Sequence, residues 1–248
     1  MTKDIKSELL EKYHEFRSES MGFKDDIKSQ KYYDNIVKYN YLPHFKENYC
    51  HILEIGCYFG YTLYAINKLN KFEKIEGIEI SNSAVKLAKK YTGIENIYCA
   101  NVFDFLPKKE SSYDVIIMKA VLEHINKEQI GNLLKLIYLA LKPGGIALIS
   151  VPNMDWISAM HERYMDFTHE VGFTLESLHD VMNVNFDKAA VKTMQYDFIN
   201  NFGSYIRINF LKPIIKLFIK TAFLILGQGA YRKTLFERSI FAVGYRAK

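Results

Sequence analysis

Cysteine is scarce in this chain: three among 248 residues, Cys50, Cys57 and Cys99, with no CxxC pair. That excludes a disulfide framework and a zinc ribbon, and an odd set of thiols points to reduced cysteines in a cytoplasmic setting. No paired-histidine helix, cysteine cluster or tight group of acids offers ligands to a metal, so none is expected. Basic residues outnumber acids by only 33 to 28 and lie scattered among them through most of the chain, so a nucleic-acid partner is not expected. The opening MTKDIKSELLEKY carries charges where a secretory signal has an apolar core, so export is not expected either. Internal repeats and low-complexity tracts are also lacking. With 49% hydrophobic and 25% charged residues, the chain reads as one well-filled globular core with room for an appended subdomain.

What the chain does have is His51 to Gly60, HILEIGCYFG, followed about twenty residues later by KIEGIEI, Lys74 to Ile80. Apolar strand formers run into a glycine-bearing turn, Tyr61 to Leu69 reads as a helix, and the second stretch closes on Glu79. Gly56 and Gly60 permit positive φ and close approach of main chain to a ligand, which a Cβ would block. Glu79, at the carboxyl end of a neighbouring strand, can accept from both hydroxyls of a ribose. A nicotinamide oxidoreductase wants the same parts, but its GxGxxG spacing fails because Tyr58 holds the second glycine position counted from Gly56.

Along the chain, apolar spacing predicts helices over Lys3 to Arg17 and Gln30 to Tyr41, with Pro43 closing the helical start. Strands are expected at Ile52 to Ile55, Ile75 to Ile80, Ile97 to Cys99, Val115 to Met118 and Ile146 to Val151. The clearest helix runs from Lys127 to Leu141; Asn126 is its expected cap and Lys142-Pro143-Gly144-Gly145 its stop. Alternating strands and helices imply a doubly wound parallel sheet whose ligand lies beyond the strands' carboxyl ends. The domain reading is a helical cap over 1–48, a cofactor-binding core over 49–200 with an acceptor-site loop at 153–174, an apolar and basic helical insertion over 201–236, and a final core strand over 237–248.

This constellation resembles the class I S-adenosylmethionine-dependent methyltransferases. Glu54-Ile55-Gly56-Cys57-Tyr58-Phe59-Gly60 looks like that family's first motif, and Glu79 like the acid that closes its second strand. Ser112-Tyr113-Asp114-Val115-Ile116-Ile117 resembles its fourth motif, and Val121-Leu122-Glu123-His124-Ile125 the LEH signature that often follows. Leu141-Lys142-Pro143-Gly144-Gly145 is similar to the turn before strand five. The resemblance implies a seven-stranded sheet with its last strand antiparallel, supplied here by Lys188 to Tyr196 and Ser239 to Arg246. It also implies S-adenosyl-L-methionine as cofactor, S-adenosyl-L-homocysteine as product, and a binding set of Glu54, Gly56, Tyr58, Gly60, Glu79, Ile80, Asn101, Val102 and Tyr33. Within that set Glu54 would hold the methionine amino group and Asn101 would take the place of an aspartate that meets the adenine amino group, its amide oxygen accepting. Tyr58, Phe59 and Tyr33 are aromatic faces for a sulfonium, a cation with no hydrogen to donate.

Methyl transfer is an in-line displacement at an activated carbon, so positioning alone can supply about 7–11 kcal/mol. A hydroxyl acceptor also benefits from a base, and histidine suits that role near neutral pH. His169 is preferred over His124. It sits in an irregular stretch, Asn153 to Thr174, with Trp156, Arg163, Tyr164 and Asp166, which reads as a loop built over an acceptor. That stretch and Gly172-Phe173-Thr174-Leu175-Glu176-Ser177-Leu178 resemble methyltransferases of bacterial surface-glycan genes. The resemblance therefore implies O-methylation of a small hydroxylated acceptor, a sugar, nucleotide-sugar or glycan precursor, with N-methylation of a small amine as the alternative and a non-catalytic cofactor-binding protein as the rival class. Finally, Tyr205 to Gly227 is strongly apolar, with Arg207, Lys212, Lys216 and Lys220 about four residues apart. Such an amphipathic helix can cover the sheet or acceptor pocket, form a homodimer through 205–236, or lie peripherally on a membrane.

Overall fold

The computed structural model describes residues 5–12, 27–227 and 234–248. Seven strands, β1 (His51–Ile55), β2 (Lys74–Glu79), β3 (Ile97–Cys99), β4 (Tyr113–Lys119), β5 (Leu141–Pro152), β6 (Lys188–Thr193) and β7 (Ser239–Tyr245), form one sheet in the order β3-β2-β1-β4-β5-β7-β6. The first five pair in parallel, and β7 runs antiparallel to both β5 and β6. This is the expected doubly wound sheet with its reversed strand last. The chain winds outward from β1 to β3 and then returns to β4, so a crevice opens where β1 and β4 part at their carboxyl ends.

Period-2 alternation puts a core on each face of the sheet. Leu53, Ile116, Met118, Ala147 and Ile149 face one way, with Leu133 and Ile137 of α6 (Lys127–Ala140) and Leu178 of α8 (Leu175–Asn185) packed on them. Ile52, Val115, Ile117 and Leu148 face the other, under Leu63 and Ile66 of α3 (Tyr61–Asn67), Val85 of α4 (Asn82–Thr92) and Ile36 of α2 (Ile27–Ile36). Mid-strand Glu76 is only 1% exposed. It accepts from Tyr113 Oη at 2.5 Å and pairs with Lys74 at 2.8 Å and Lys109 at 3.7 Å. Burial opposes its ionisation, but these partners, with His51 at 3.5 Å, hold its carboxyl well below the usual range.

Element ends follow local chemistry. Ser81 Oγ accepts from Ala84 N to open α4, which closes on Gly93 at φ +70°. Thr174 and Ser177 form a reciprocal capping box at the start of α8, so that part of the FTLESL stretch serves helix initiation. Asn126 precedes α6 without a side-chain cap; its Oδ1 instead accepts from Lys6 Nζ, at 2.8 Å, on α1 (Ile5–Glu11). The helix expected over Lys3 to Arg17 is seen as α1, and its positions 3, 4 and 13–17 lie outside the described residues. That expected to reach Tyr41 is α-helical only to Ile36 and then widens over Val37–Tyr41, where Leu42 N reaches back to Val37 O. Strand five begins earlier than expected, at Leu141, absorbing the Lys142 to Gly145 turn with a register shift opposite Tyr113 and Val115. The remaining helices are α5 (Val102–Phe105), α7 (Ala159–Tyr164), α9 (Phe202–Ile206) and α10 (Lys212–Ile225), the last two lying between β6 and β7. No helix among the described residues is long and apolar enough to cross a membrane.

Candidate active site

At the carboxyl end of β1 the main chain turns through Gly56 at φ +69°, Tyr58 at +49° and Gly60 at +79°. A Cβ on Gly56 would lie 2.3 Å from Val121 Cγ2, and one on Gly60 would lie 2.6 Å from Thr92 Cγ2. One glycine therefore lets the turn pass the loop after β4, and the other lets α3 approach α4. Tyr58 adopts the left-handed backbone that glycine takes at no steric cost, and its ring packs 3.9 Å from that of Phe59. Glu79, at the end of β2, ties the turn to its neighbour: Oε2 accepts from Tyr58 N at 3.1 Å, and Oε1 from Ile80 N at 2.8 Å and Ser81 N at 3.2 Å.

These groups open into a cavity of about 900 Å³ that also takes in Glu54, Asn101, Val102, Tyr33, His124, Asp166 and His169. Glu54 is buried, and its Oε2 has no hydrogen-bond partner among the described residues. Burial pushes its carboxyl up to about 8, against hydrogen bonding from Thr62 and the charge of Lys119. Lys119 Nζ stands 5.2 Å from the centre of the Tyr33 ring, which stacks on Tyr61. Burial, with Glu54 nearby, raises the Tyr33 hydroxyl to about 12. Asn101 Oδ1 accepts from Phe103 N at 2.9 Å and caps α5, so one of its two lone pairs is occupied there.

The opposite end of the cavity is built by the turn Leu122–His124 and the segment after α7. Thr168 donates its hydroxyl proton to Asp166 Oδ1 at 2.7 Å, so its oxygen accepts from His124 Nδ1 at 2.8 Å, which leaves the lone pair of His124 on Nε2. Burial, and then the neighbouring His169, lower His124 to about 4. His169 Nδ1 lies 3.0 Å from the carbonyl of Glu162; a carbonyl only accepts, so this nitrogen is the donor and Nε2 is the basic atom. The two imidazole centres are 4.7 Å apart. Glu123 beside them is 3% exposed, with neither carboxylate oxygen hydrogen-bonded among the described residues, and burial raises it to about 8.

The structure thus brings together Glu54, Gly56, Tyr58, Glu79, Ile80, Asn101, Val102, Tyr33, His124, Asp166 and His169 around one cavity, with Gly60 just behind its wall. Trp156, Arg163 and Tyr164 stand apart from it. Arg163 donates to the carbonyls of His169, at 2.6 Å, and Glu170, at 3.1 Å, and so clamps the loop; Tyr164 is exposed beneath that guanidinium, and Trp156 lies under Arg238. Sequence reading missed Lys119, Glu123, Glu162 and Arg238. Arg238 pairs with Glu162 at 3.0 Å from the approach to β7. Only Glu123 carried a signal, the LEH triplet. Lys6 reaches in from α1 to Asn126 and Glu170, both at 2.8 Å, and closes one side.

A Rossmann-like sheet with a glycine cradle, a strand-end acid and a deep cavity at the switch point defines a nucleoside-cofactor enzyme of the class I methyltransferase type. The chain belongs to the methyltransferase domain family, whose model matches residues 30–187. It is an S-adenosyl-L-methionine-dependent methyltransferase. Among its relatives, carboxy-S-adenosyl-L-methionine synthase of Campylobacter fetus is 25% identical over 191 residues, 70% of this chain and 78% of that protein. Malonyl-[acyl-carrier protein] O-methyltransferase of Bacillus cereus is 27% identical over 142 residues, and the match spans only 51% of its length and 53% of this chain. The same fold is seen in a SAM-dependent methyltransferase from Archaeoglobus fulgidus, with a TM-score of 0.68 and 17% identity over 94% of this chain and 99% of that one. It is also seen in the plantazolicin methyltransferase BpumL in complex with SAH, with a TM-score of 0.62 and 18% identity over 98% and 96%.

The cavity fits that cofactor at Glu54, whose buried carboxyl presents an oxygen with no partner among the described residues where an ammonium can satisfy it.

Proposed function

We propose that this enzyme O-methylates a small hydroxylated acceptor, a sugar, nucleotide-sugar or glycan precursor, with His169 as the base. One observation carries the reading: His169 Nδ1 is engaged by the Glu162 carbonyl, which fixes Nε2 as the proton acceptor inside the cavity. Glu54 and Glu79 hold the cofactor's amino group and ribose, Gly56 and Tyr58 supply the main-chain turn, and Asn101 and Val102 border the base. Bound there, S-adenosyl-L-methionine supplies a methyl group on a positively charged sulfur.

Around that site the residues divide the work. His169 takes the hydroxyl proton at Nε2. Asp166, through Thr168, keeps His124 in the tautomer whose Nε2 accepts a second hydrogen bond from the acceptor. Arg163 acts through the backbone carbonyls of His169 and Glu170, positioning the base rather than touching the acceptor. The relatives' names include a synthase and an acyl-carrier O-methyltransferase, so the acceptor class rests on this site and on the DFTH stretch. A cytoplasmic setting agrees with the three free cysteines.

A methyl-transfer screen across sugars, nucleotide-sugars and small amines, with the added methyl located, tests the acceptor; a methyl on nitrogen would overturn it. His169→Ala should keep cofactor affinity in calorimetry and lower kcat about 10²- to 10⁴-fold. Unchanged turnover would remove the base assignment.

A further inference from the structure

Residues 202–225 form one continuous helical rod, α9 passing through a widened turn at Arg207–Leu211 into α10, about 36 Å long at 1.5 Å per residue. The turn widens just ahead of Pro213, which has no N–H to offer, and Lys212 N bonds five residues back to Arg207 O. A surface helix of a globular protein turns apolar side chains inward and charges outward. Here the order is reversed. Lys212 pairs with Asp197, and Lys216 with Glu237 at 2.9 Å, both on the side toward the domain. Ile214, Leu217, Phe218, Leu224 and Ile225 point away from it, between 66% and 79% exposed. No residue of the rod lines the active-site cavity, so it does not roof the acceptor.

Charge decides what covers that face. Residues 198–236 hold six of the chain's 33 basic residues and none of its 28 acids, leaving one net negative charge on the remainder. Asp197 answers Arg207 and Lys212 and Glu237 answers Lys216, which leaves Lys220 as the exposed lysine of the rod, and a second copy meeting the same face across a two-fold axis would set Lys220 toward its own equivalent. An anionic bilayer answers both features, acyl chains for the apolar row and phosphates for Lys220 at its margin. We propose that the rod 202–225 lies along the headgroup layer of an anionic membrane. Glu237, which holds Lys216, is followed by Arg238, which pairs with Glu162 in the cavity wall, so the rod and the acceptor end are joined through two adjacent residues.

Vesicle flotation of the full chain tests this without any acceptor. The protein should rise with phosphatidylcholine vesicles containing about a third phosphatidylglycerol and stay down with pure phosphatidylcholine, and added salt should weaken binding. Lys220→Gln should weaken it about fivefold, the share of one lysine near an anionic surface. Phe218→Glu with Leu224→Glu should lose at least about tenfold while cofactor affinity by calorimetry stays at the parent value, showing an intact fold. Failure to float with either vesicle, equal flotation of parent and double variant, or a concentration-dependent dimer in sedimentation that the double variant abolishes would each overturn the proposal. Loss of methyl transfer alone would bear on His169 instead.

Discussion

Cofactor affinity should depend on pH through Glu54. In the free protein burial raises this carboxyl to about 8, so it is ionised to about 1% at pH 6, 9% at pH 7 and half at pH 8. An ammonium bound against it favours the ionised form, so binding expels the proton that Glu54 carries when free. Below about pH 7, where the cofactor's own α-ammonium keeps its proton, the apparent Kd should therefore rise about tenfold for each unit of acidification, with about 0.9 proton released per cofactor at pH 7. Calorimetry in two buffers of different ionisation enthalpy reads both quantities. Glu54→Gln should flatten the acid limb of the profile and weaken binding at pH 7.5 by up to about ten- to a hundredfold, the range for a hydrogen bond to a charged group. Because Glu123 is raised to a similar value, Glu123→Gln serves as control and should keep the slope. An affinity independent of pH, with no proton released, would refute this account of Glu54.

Gly56→Ala should lower both thermal stability, by about 1–3 kcal/mol, and cofactor affinity, because its Cβ meets Val121 Cγ2 at 2.3 Å on a left-handed backbone; unchanged melting and calorimetry would contradict it. Glu76 has its folded-state pKa depressed, so its contribution is present above the unfolded value near 4.5 and lost as pH falls toward the folded value. Urea unfolding should show Glu76→Gln less stable by roughly 1.5–3 kcal/mol at pH 7, with a gap that narrows below pH 4.5; a constant gap would rule out the linkage.

Strand identities were legible because apolar-rich runs of three to six residues between turn signals leave few alternatives, and Glu79 stood out as a charge closing such a run. The cradle was legible for the same reason: Gly56 and Gly60 flank a turn that only a left-handed backbone completes, and Tyr58 takes that conformation too. What stayed hidden was how side chains are spent. Arg163 looked like an acceptor ligand and holds carbonyls instead; Asn101 looked like an adenine partner and also caps a helix; Asn126 looked like a cap and binds Lys6. Arg238 reaches Glu162 across 76 positions, a separation that no local pattern encodes. In 202–225 the spacing showed two faces but not which one turns toward the domain, since that depends on Asp197 and Glu237.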